Sequence, residues 1–261
     1  MSFITDFIRE LPIYLLSLPV ILMALSVHEA SHGYVAWKLG DPTARNLGRI
    51  TLNPVKHLDL IGTLCMIFLK IGWAKPVPIN TRNFKNPRRD MALTGAAGPL
   101  SNLVMALLHL LVLRVAMLFI QPAFEEEAYL YAVSYFTGEK FSAPFAFTVV
   151  CLAVYLLYVG VSLNLSLTIF NLIPIPPFDG SRIFYVFLPT KWYFAVMKYE
   201  RYIMIGFIIV FLICSRFGWL GRILSFLTEG LMTLVGLNDR LEWIDNSMLD
   251  ILMSYVGSLL G

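Results

Sequence analysis

The chain has 261 residues, of which 58% are hydrophobic and only 14% are charged, and its mean hydropathy is +0.72. Soluble domains are seldom more than about half apolar, and several runs here approach the roughly 20 apolar residues needed to cross a bilayer. The composition therefore excludes an ordinary soluble domain. It predicts one all-α polytopic membrane domain over residues 1–261, with a core over 11–201 and further helices over 202–261. A net charge of +3 is too small to indicate nucleic-acid binding.

The first predicted transmembrane helix covers residues 11–39 and carries the sequence His-Glu-Ala-Ser-His near its inner end. On a helix, His28 and His32 lie one turn apart on the same face, so both imidazoles can bind one metal ion. Glu29 lies on the flank of that face, where a carboxylate can take a proton from water without filling a ligand position. A His-Glu pair inside an apolar span is costly unless something binds it, which favours a metal site over a chance match.

Residues 40–90 combine short apolar and polar stretches. Residues 50–54 indicate a short strand or turn, and residues 61–71 are too few to span a membrane, which favours a re-entrant or shallow segment. Two prolines within residues 75–80 predict an extended backbone. This segment either pairs with an extended peptide, as a protease requires of its substrate, or serves as a simple connector.

Asp90 is predicted to cap a second spanning helix over residues 91–120, which begins with small residues that allow close helix packing. This helix carries Asn102. A polar amide in a membrane helix needs a partner. Asn102 therefore either makes an interhelical hydrogen bond or binds a substrate backbone.

A third spanning helix is predicted over residues 143–173, with Asn164, Thr168 and Asn171 on one face. In lipid, such a polar stripe should face the protein interior. Three prolines then end the helix and predict an extended segment that presents Asp179. Asp179 is either an ordinary turn aspartate or the third ligand that the two histidines lack.

A fourth span is predicted from residue 202 to between 213 and 220, and shorter apolar stretches at 222–237 and 248–260 bring the expected total to about four to six helices. Between residues 38 and 90 there are ten Lys or Arg and three Asp, whereas residues 121–140 form an acidic loop. The positive-inside rule makes the first of these regions cytoplasmic. His28, His32 and Asp179 are then all expected on the cytoplasmic side.

Three motifs resemble the signatures of the site-2 protease family of intramembrane zinc metalloproteases. They are His28-Glu-x-x-His32, Gly98-x-x-x-Asn102 and Asn171-x-x-Pro174-x-Pro176-Pro177-x-Asp179-Gly180. The stretches at residues 48–54 and 73–78 are similar to the compact bacterial branch, without a PDZ or CBS domain. The resemblance covers roughly residues 11–201.

The resemblance implies one Zn²⁺ held by His28, His32 and Asp179, with Glu29 as the general base and Asn102 and Asn171 supporting substrate or transition state. It implies cleavage of transmembrane proteins, such as anti-sigma factors or other regulators, in the lipid bilayer of the cell. Two alternatives come from other classes. A metal transporter should show several sites or an inverted repeat, and an inactive membrane scaffold should have lost Glu29.

Overall fold

The computed structural model describes residues 2–69, 72–137, 145–189 and 219–234, with some positions between 191 and 210. Within these residues there are seven named α-helices and no named strand. The helices are α1 Ser2–Lys38, α2 Thr43–Asn46, α3 Leu60–Leu69, α4 Pro87–Thr137, α5 Phe145–Asn171, α6 Asp179–Tyr185 and α7 Trp219–Leu234. The predicted fourth span lies largely outside the described residues, and the stretch at 248–260 lies wholly outside them.

Three of these helices are long and apolar enough to cross a membrane, over Tyr14–Lys38, Pro87–Phe119 and Val149–Asn171. They lie where the first three spanning helices were predicted, and their length and composition suit a membrane crossing. Helix α1 continues through Pro12 and Pro19. Membrane helices tolerate proline because neighbouring groups can satisfy the carbonyls it frees.

Helix α4 differs from its prediction at both ends. It begins at Pro87, where a missing N–H costs nothing, and Asp90 lies within the first turn. There the carboxylate still serves the helix start, because Asp90 Oδ2 accepts the backbone N–H of Asn86 at 2.9 Å. The helix continues to Thr137, so residues 121–137, predicted as an acidic loop, are helical. The three Ala and three Glu in this stretch are good helix formers, and acidic charge alone does not end a helix.

The region between α1 and α4 contains very little β structure. Among the described residues its one β pairing is an antiparallel bridge between Leu58 and Ala74. The predicted short apolar segment is helix α3, in which Leu60 is 77% exposed. Residues 75–80 are not helical, as their prolines predict. The strand-like part of the prediction is therefore reduced to one bridge and an extended segment.

The chain divides into two compact units. One contains residues 21–105 and 163–224, and the other contains residues 1–20, 106–162 and 225–261. Every predicted site residue belongs to the first unit. The description of the whole chain as a single protease domain stays a prediction.

Candidate metal centre

Helix α1 supplies the first two side chains of the site. His28 and His32 are each only 6% exposed, and their ring centroids lie 4.7 Å apart at an interplanar angle of 84°. The i, i+4 spacing places the rings one above the other on a single helix face. The helical geometry predicted from the sequence is therefore present.

Asp179, at the start of α6, supplies the third side chain of the site. Helix α5 ends at Asn171, and α6 begins at Asp179 after Phe178 in an extended conformation. Asp179 Oδ2 lies 3.1 Å from His28 Nε2 and 3.1 Å from His32 Nε2. The two Nε2 atoms are also 3.1 Å apart. Three predicted ligand atoms thus form a nearly equilateral triangle.

Hydrogen bonds at Nδ1 determine the tautomer of both rings. His32 Nδ1 lies 2.7 Å from the Thr94 carbonyl oxygen, which can only accept, so this nitrogen carries the proton. His28 Nδ1 lies 2.5 Å from Asn102 Oδ1. The orientation of the Asn102 amide is fixed in turn, because its nitrogen is 3.3 Å from the Ala24 carbonyl and 2.8 Å from Asn164 Oδ1. In the neutral form, both histidines therefore carry their lone pair at Nε2, the ring nitrogen that lies nearest Asp179.

The charge state of Asp179 completes the description of the donor set. Burial raises the pKa of Asp179, but hydrogen bonds and charge from the His28 and His32 rings, in their protonated form, lower it by more. They hold the pKa of Asp179 well below its usual range, so the group is a carboxylate at neutral pH.

When both rings are neutral, the three facing atoms are all acceptors, and they repel one another unless a cation lies between them. Tetrahedral Zn²⁺ with ligands at about 2.0–2.1 Å sets neighbouring ligand atoms roughly 3.3 Å apart. The observed separations are 3.1 Å. Two neutral imidazoles and one carboxylate also form a donor set that zinc prefers. The residues present therefore fit zinc in type and in spacing.

Glu29 lies on the flank of the α1 face that carries the two histidines. Its Oε2 accepts the backbone N–H of Val77 at 2.8 Å. In the described part of the chain the Glu29 side chain makes no other hydrogen bond, so Oε1 is not engaged. Glu29 is half-buried, next to the candidate ligand His28.

The two remaining predicted site residues have different surroundings. Asn102 is fully buried and makes the interhelical hydrogen bond to Asn164 that was one of its two interpretations. Asn171 is half-buried, and its amide nitrogen donates to the Leu167 carbonyl of its own helix at 2.9 Å. The structure therefore brings Asn102, but not Asn171, into contact with a candidate ligand.

Sequence reasoning missed three participants. Asn164 lies in the polar stripe predicted to face the interior, and it is 1% exposed, so its burial was predictable although its partner was not. Thr94 and Val77 contribute a backbone carbonyl and a backbone N–H. No side-chain pattern reveals such backbone groups.

Apolar spanning helices with a buried zinc-type donor set and an adjacent carboxylate define a class, the membrane metallopeptidases. Comparison with known proteins agrees. The family model for Peptidase family M50 matches residues 17–213. The chain belongs to this family, which is that of the site-2 proteases.

Curated relatives carry corresponding names. The chain is 37% identical over 191 residues to "Putative zinc metalloprotease YwhC" of Bacillus subtilis (strain 168), covering 73% of this chain and 77% of the relative. It is 27% identical over 226 residues to "Putative zinc metalloprotease Rip2" of Mycobacterium tuberculosis (strain ATCC 25618 / H37Rv), covering 84% and 74%. No solved structure gave a significant match.

The protein is thus a zinc-dependent intramembrane metalloprotease, and its family acts on membrane protein substrates within the bilayer. This confirms the family, the cofactor and the enzyme class expected from the sequence. None of the findings favours a transporter or an inactive scaffold.

Proposed function

We propose that His28, His32 and Asp179 hold the zinc ion of this protease and that Glu29 is its general base. The observation that carries the proposal is the triangle of acceptor atoms with 3.1 Å separations. In the neutral tautomers set by the partners at Nδ1, all three atoms offer lone pairs to one point, as a Zn²⁺ site requires.

When bound, zinc supplies a Lewis acid that polarises the substrate carbonyl and lowers the pKa of water. The chain's own residues handle the proton. Glu29 takes it from the attacking water and gives it to the leaving amine. Because Oε2 is bound by Val77, Oε1 is the oxygen that carries this proton. His28 and His32 stay neutral and oriented through Asn102 and Thr94.

The two asparagines take different roles in this proposal. Asn102 already uses its oxygen for His28 and its nitrogen for Ala24 and Asn164, so we assign it to orientation of His28. Asn171 uses only its amide nitrogen in the described part of the chain, which leaves its oxygen to accept from a substrate N–H.

The substrate in this proposal is a transmembrane protein, such as an anti-sigma factor or another membrane regulator, bound in an extended conformation. Support comes from residues 75–80, where Pro78 and Ile79 have no hydrogen-bond partner among the described residues. An extended peptide can pair with such groups.

The position of the site in the cell also belongs to the proposal. The protein is a multi-pass protein of the cell membrane with its active site toward the cytoplasm. Ten Lys or Arg against three Asp between residues 38 and 90 support this orientation.

The test compares Glu29→Gln with the wild type in detergent or liposomes, using a model membrane substrate. Glu29→Gln should bind zinc as the wild type does and lose most of its activity, by about 100-fold or more, since general-base catalysis contributes 10²–10⁴-fold. Full activity with bound zinc would remove the base role. Stoichiometric, chelator-removable zinc without zinc uptake into vesicles would separate the protease from a transporter.

A further inference from the structure

The extended segment formed by residues 75–80 is attached to the rest of its unit at both ends. Near its start, Lys75 N–H donates to the His57 carbonyl at 2.8 Å, and Arg49 Nη2 donates to the Lys75 carbonyl at 2.7 Å. At its end, Asn80 N–H donates to Asp41 Oδ2 at 2.7 Å. Arg49 is 9% exposed and Asp41 is fully buried, so these attachments are shielded from water.

The middle of the segment is attached through the candidate base. Pro76 and Pro78 have no N–H, so Val77 provides the one backbone donor in the Pro-Val-Pro sequence. This donor binds Glu29 Oε2 at 2.8 Å. A simple connector would have no reason to bind the Glu29 carboxylate with the one backbone N–H of this triplet.

Packing brings the segment against α1 at the same place. Val77 is 6% exposed. A Cβ added to Gly33 would lie 3.2 Å from Val77 Cγ1 and 3.1 Å from Ala44 Cβ, so a side chain at Gly33 would crowd the segment. Glu29 and Gly33 are four residues apart and share one face of α1. Helix α1 therefore has two adjacent i, i+4 pairs, one formed by the candidate ligands and one facing Val77.

We propose that the Val77 amide is a positioning group for Glu29. It fixes Oε2, so that Oε1 is left to face the reacting water, and Arg49 and Asp41 act at a distance by setting the segment in place. The inference rests on the proposed base role of Glu29. It also couples catalysis to substrate binding, because the segment proposed to pair with the substrate is the one that holds the base.

The test removes the backbone N–H of Val77 and leaves its side chain intact. Val77 is replaced by its α-hydroxy acid through nonsense suppression, which exchanges the N–H for an ester oxygen. The matched control is the same exchange at Leu52, an exposed residue whose N–H has no partner among the described residues. Each purified protein is assayed for kcat, KM, zinc affinity and thermal midpoint.

The ester at position 77 should lower kcat by about 10- to 100-fold, as loss of an outer partner of a catalytic group does, with KM and zinc affinity unchanged. The Leu52 ester should match the wild type. A position-77 ester with kcat within about twofold of the wild type would overturn the proposal. So would a fall in thermal midpoint or zinc content that accounts for the lost activity, because that result defines a structural role.

A second variant keeps the proposal testable if the ester protein is poorly produced. Arg49→Gln removes a cation that holds the Lys75 carbonyl, while Glu29 and Val77 stay unchanged. It should lower kcat less than the ester does, again at constant zinc affinity, and wild-type kcat would contradict the proposal that the placement of this segment positions Glu29. Failure of the base assignment is recognised separately, because Glu29→Gln would then keep full activity whatever the result at Val77.

Discussion

Gly98→Ala is the sharpest available test of how closely α4 approaches the candidate metal centre. A Cβ built at Gly98 would lie 2.6 Å from His28 Nε2 and 2.6 Å from His28 Cε1, and it would also collide with His32 Nε2. Ordinary van der Waals contact begins near 3.4 Å, so the rings or the helix would have to move by about 0.8 Å. Metal sites tolerate deviations in ligand distance of only about ±0.2 Å.

The rings have little freedom to make that movement. His28 and His32 are each held at Nδ1 by Asn102 and Thr94, so a displaced ring would also lose a hydrogen bond. Loss of one outer partner typically reduces metal affinity 10- to 100-fold. With both rings displaced, we expect zinc affinity to fall at least about 100-fold, or roughly 3 kcal/mol. Helix propensity favours alanine by about 1 kcal/mol and offsets only part of the strain, so helical content has to be measured to separate misfolding from loss of zinc.

The assay is zinc affinity by chelator competition in detergent, with helical content measured on the same samples. Gly230→Ala is the control, because it makes the same change within α7 where nothing lies within 4 Å of the added Cβ. Wild-type affinity in Gly98→Ala would refute the reasoning, since it would mean that α4 does not lie this close to the two rings.

Three further outcomes are expected. Asp179→Ala should leave the helical content unchanged and lose stoichiometric zinc by metal analysis; retained zinc would exclude Asp179 as a ligand. Asn164→Leu should weaken zinc binding about 10-fold, because Asn102 then loses an acceptor and holds His28 less firmly; wild-type affinity would contradict this role of Asn164. Burial raises the pKa of Asp41, but hydrogen bonds from Thr43, Asn80 and Asn83 lower it by more, to below the ordinary value of 3.8. The Asp41 carboxylate therefore stabilises the fold fully above pH 3.8, and this stabilisation is lost as the pH falls through the lowered pKa. Asp41→Asn should lower the free energy of unfolding by about 1–3 kcal/mol at neutral pH, and the difference from the wild type should shrink on acidification; a constant difference would refute this origin.

The sequence predicted the parts of this protein that depend on side-chain spacing. The four-residue spacing of His28 and His32 needs only a regular helix, and long apolar runs are sufficient to locate α1, α4 and α5. Asp179 could be chosen because the two histidines lacked a third ligand and because its motif resembles that of the site-2 proteases; charge patterning predicted the same side for both halves of the site. This choice used no knowledge of tertiary contacts.

Other features depend on information that side-chain patterns do not contain. Residues 121–137 were predicted as a loop because they are acidic, yet they continue helix α4. The partners of Glu29 and His32 are the backbone N–H of Val77 and the backbone carbonyl of Thr94, and every residue type offers such groups except for the N–H of proline. Their positions depend on how the chain folds back on α1.

The two i, i+4 pairs on α1 share one helical register, and this limits what can change in that stretch. Inserting or deleting a single residue between positions 28 and 33 would rotate everything beyond it by about 100°, so that an imidazole and the glycine contact would both turn away from their partners. A change of chain length there would therefore alter the metal centre and the position of Glu29 together. In this stretch, related proteins should therefore differ by substitutions and not by insertions or deletions. The connection between α5 and α6 is less restricted, because it only has to place Asp179 beside the two histidines.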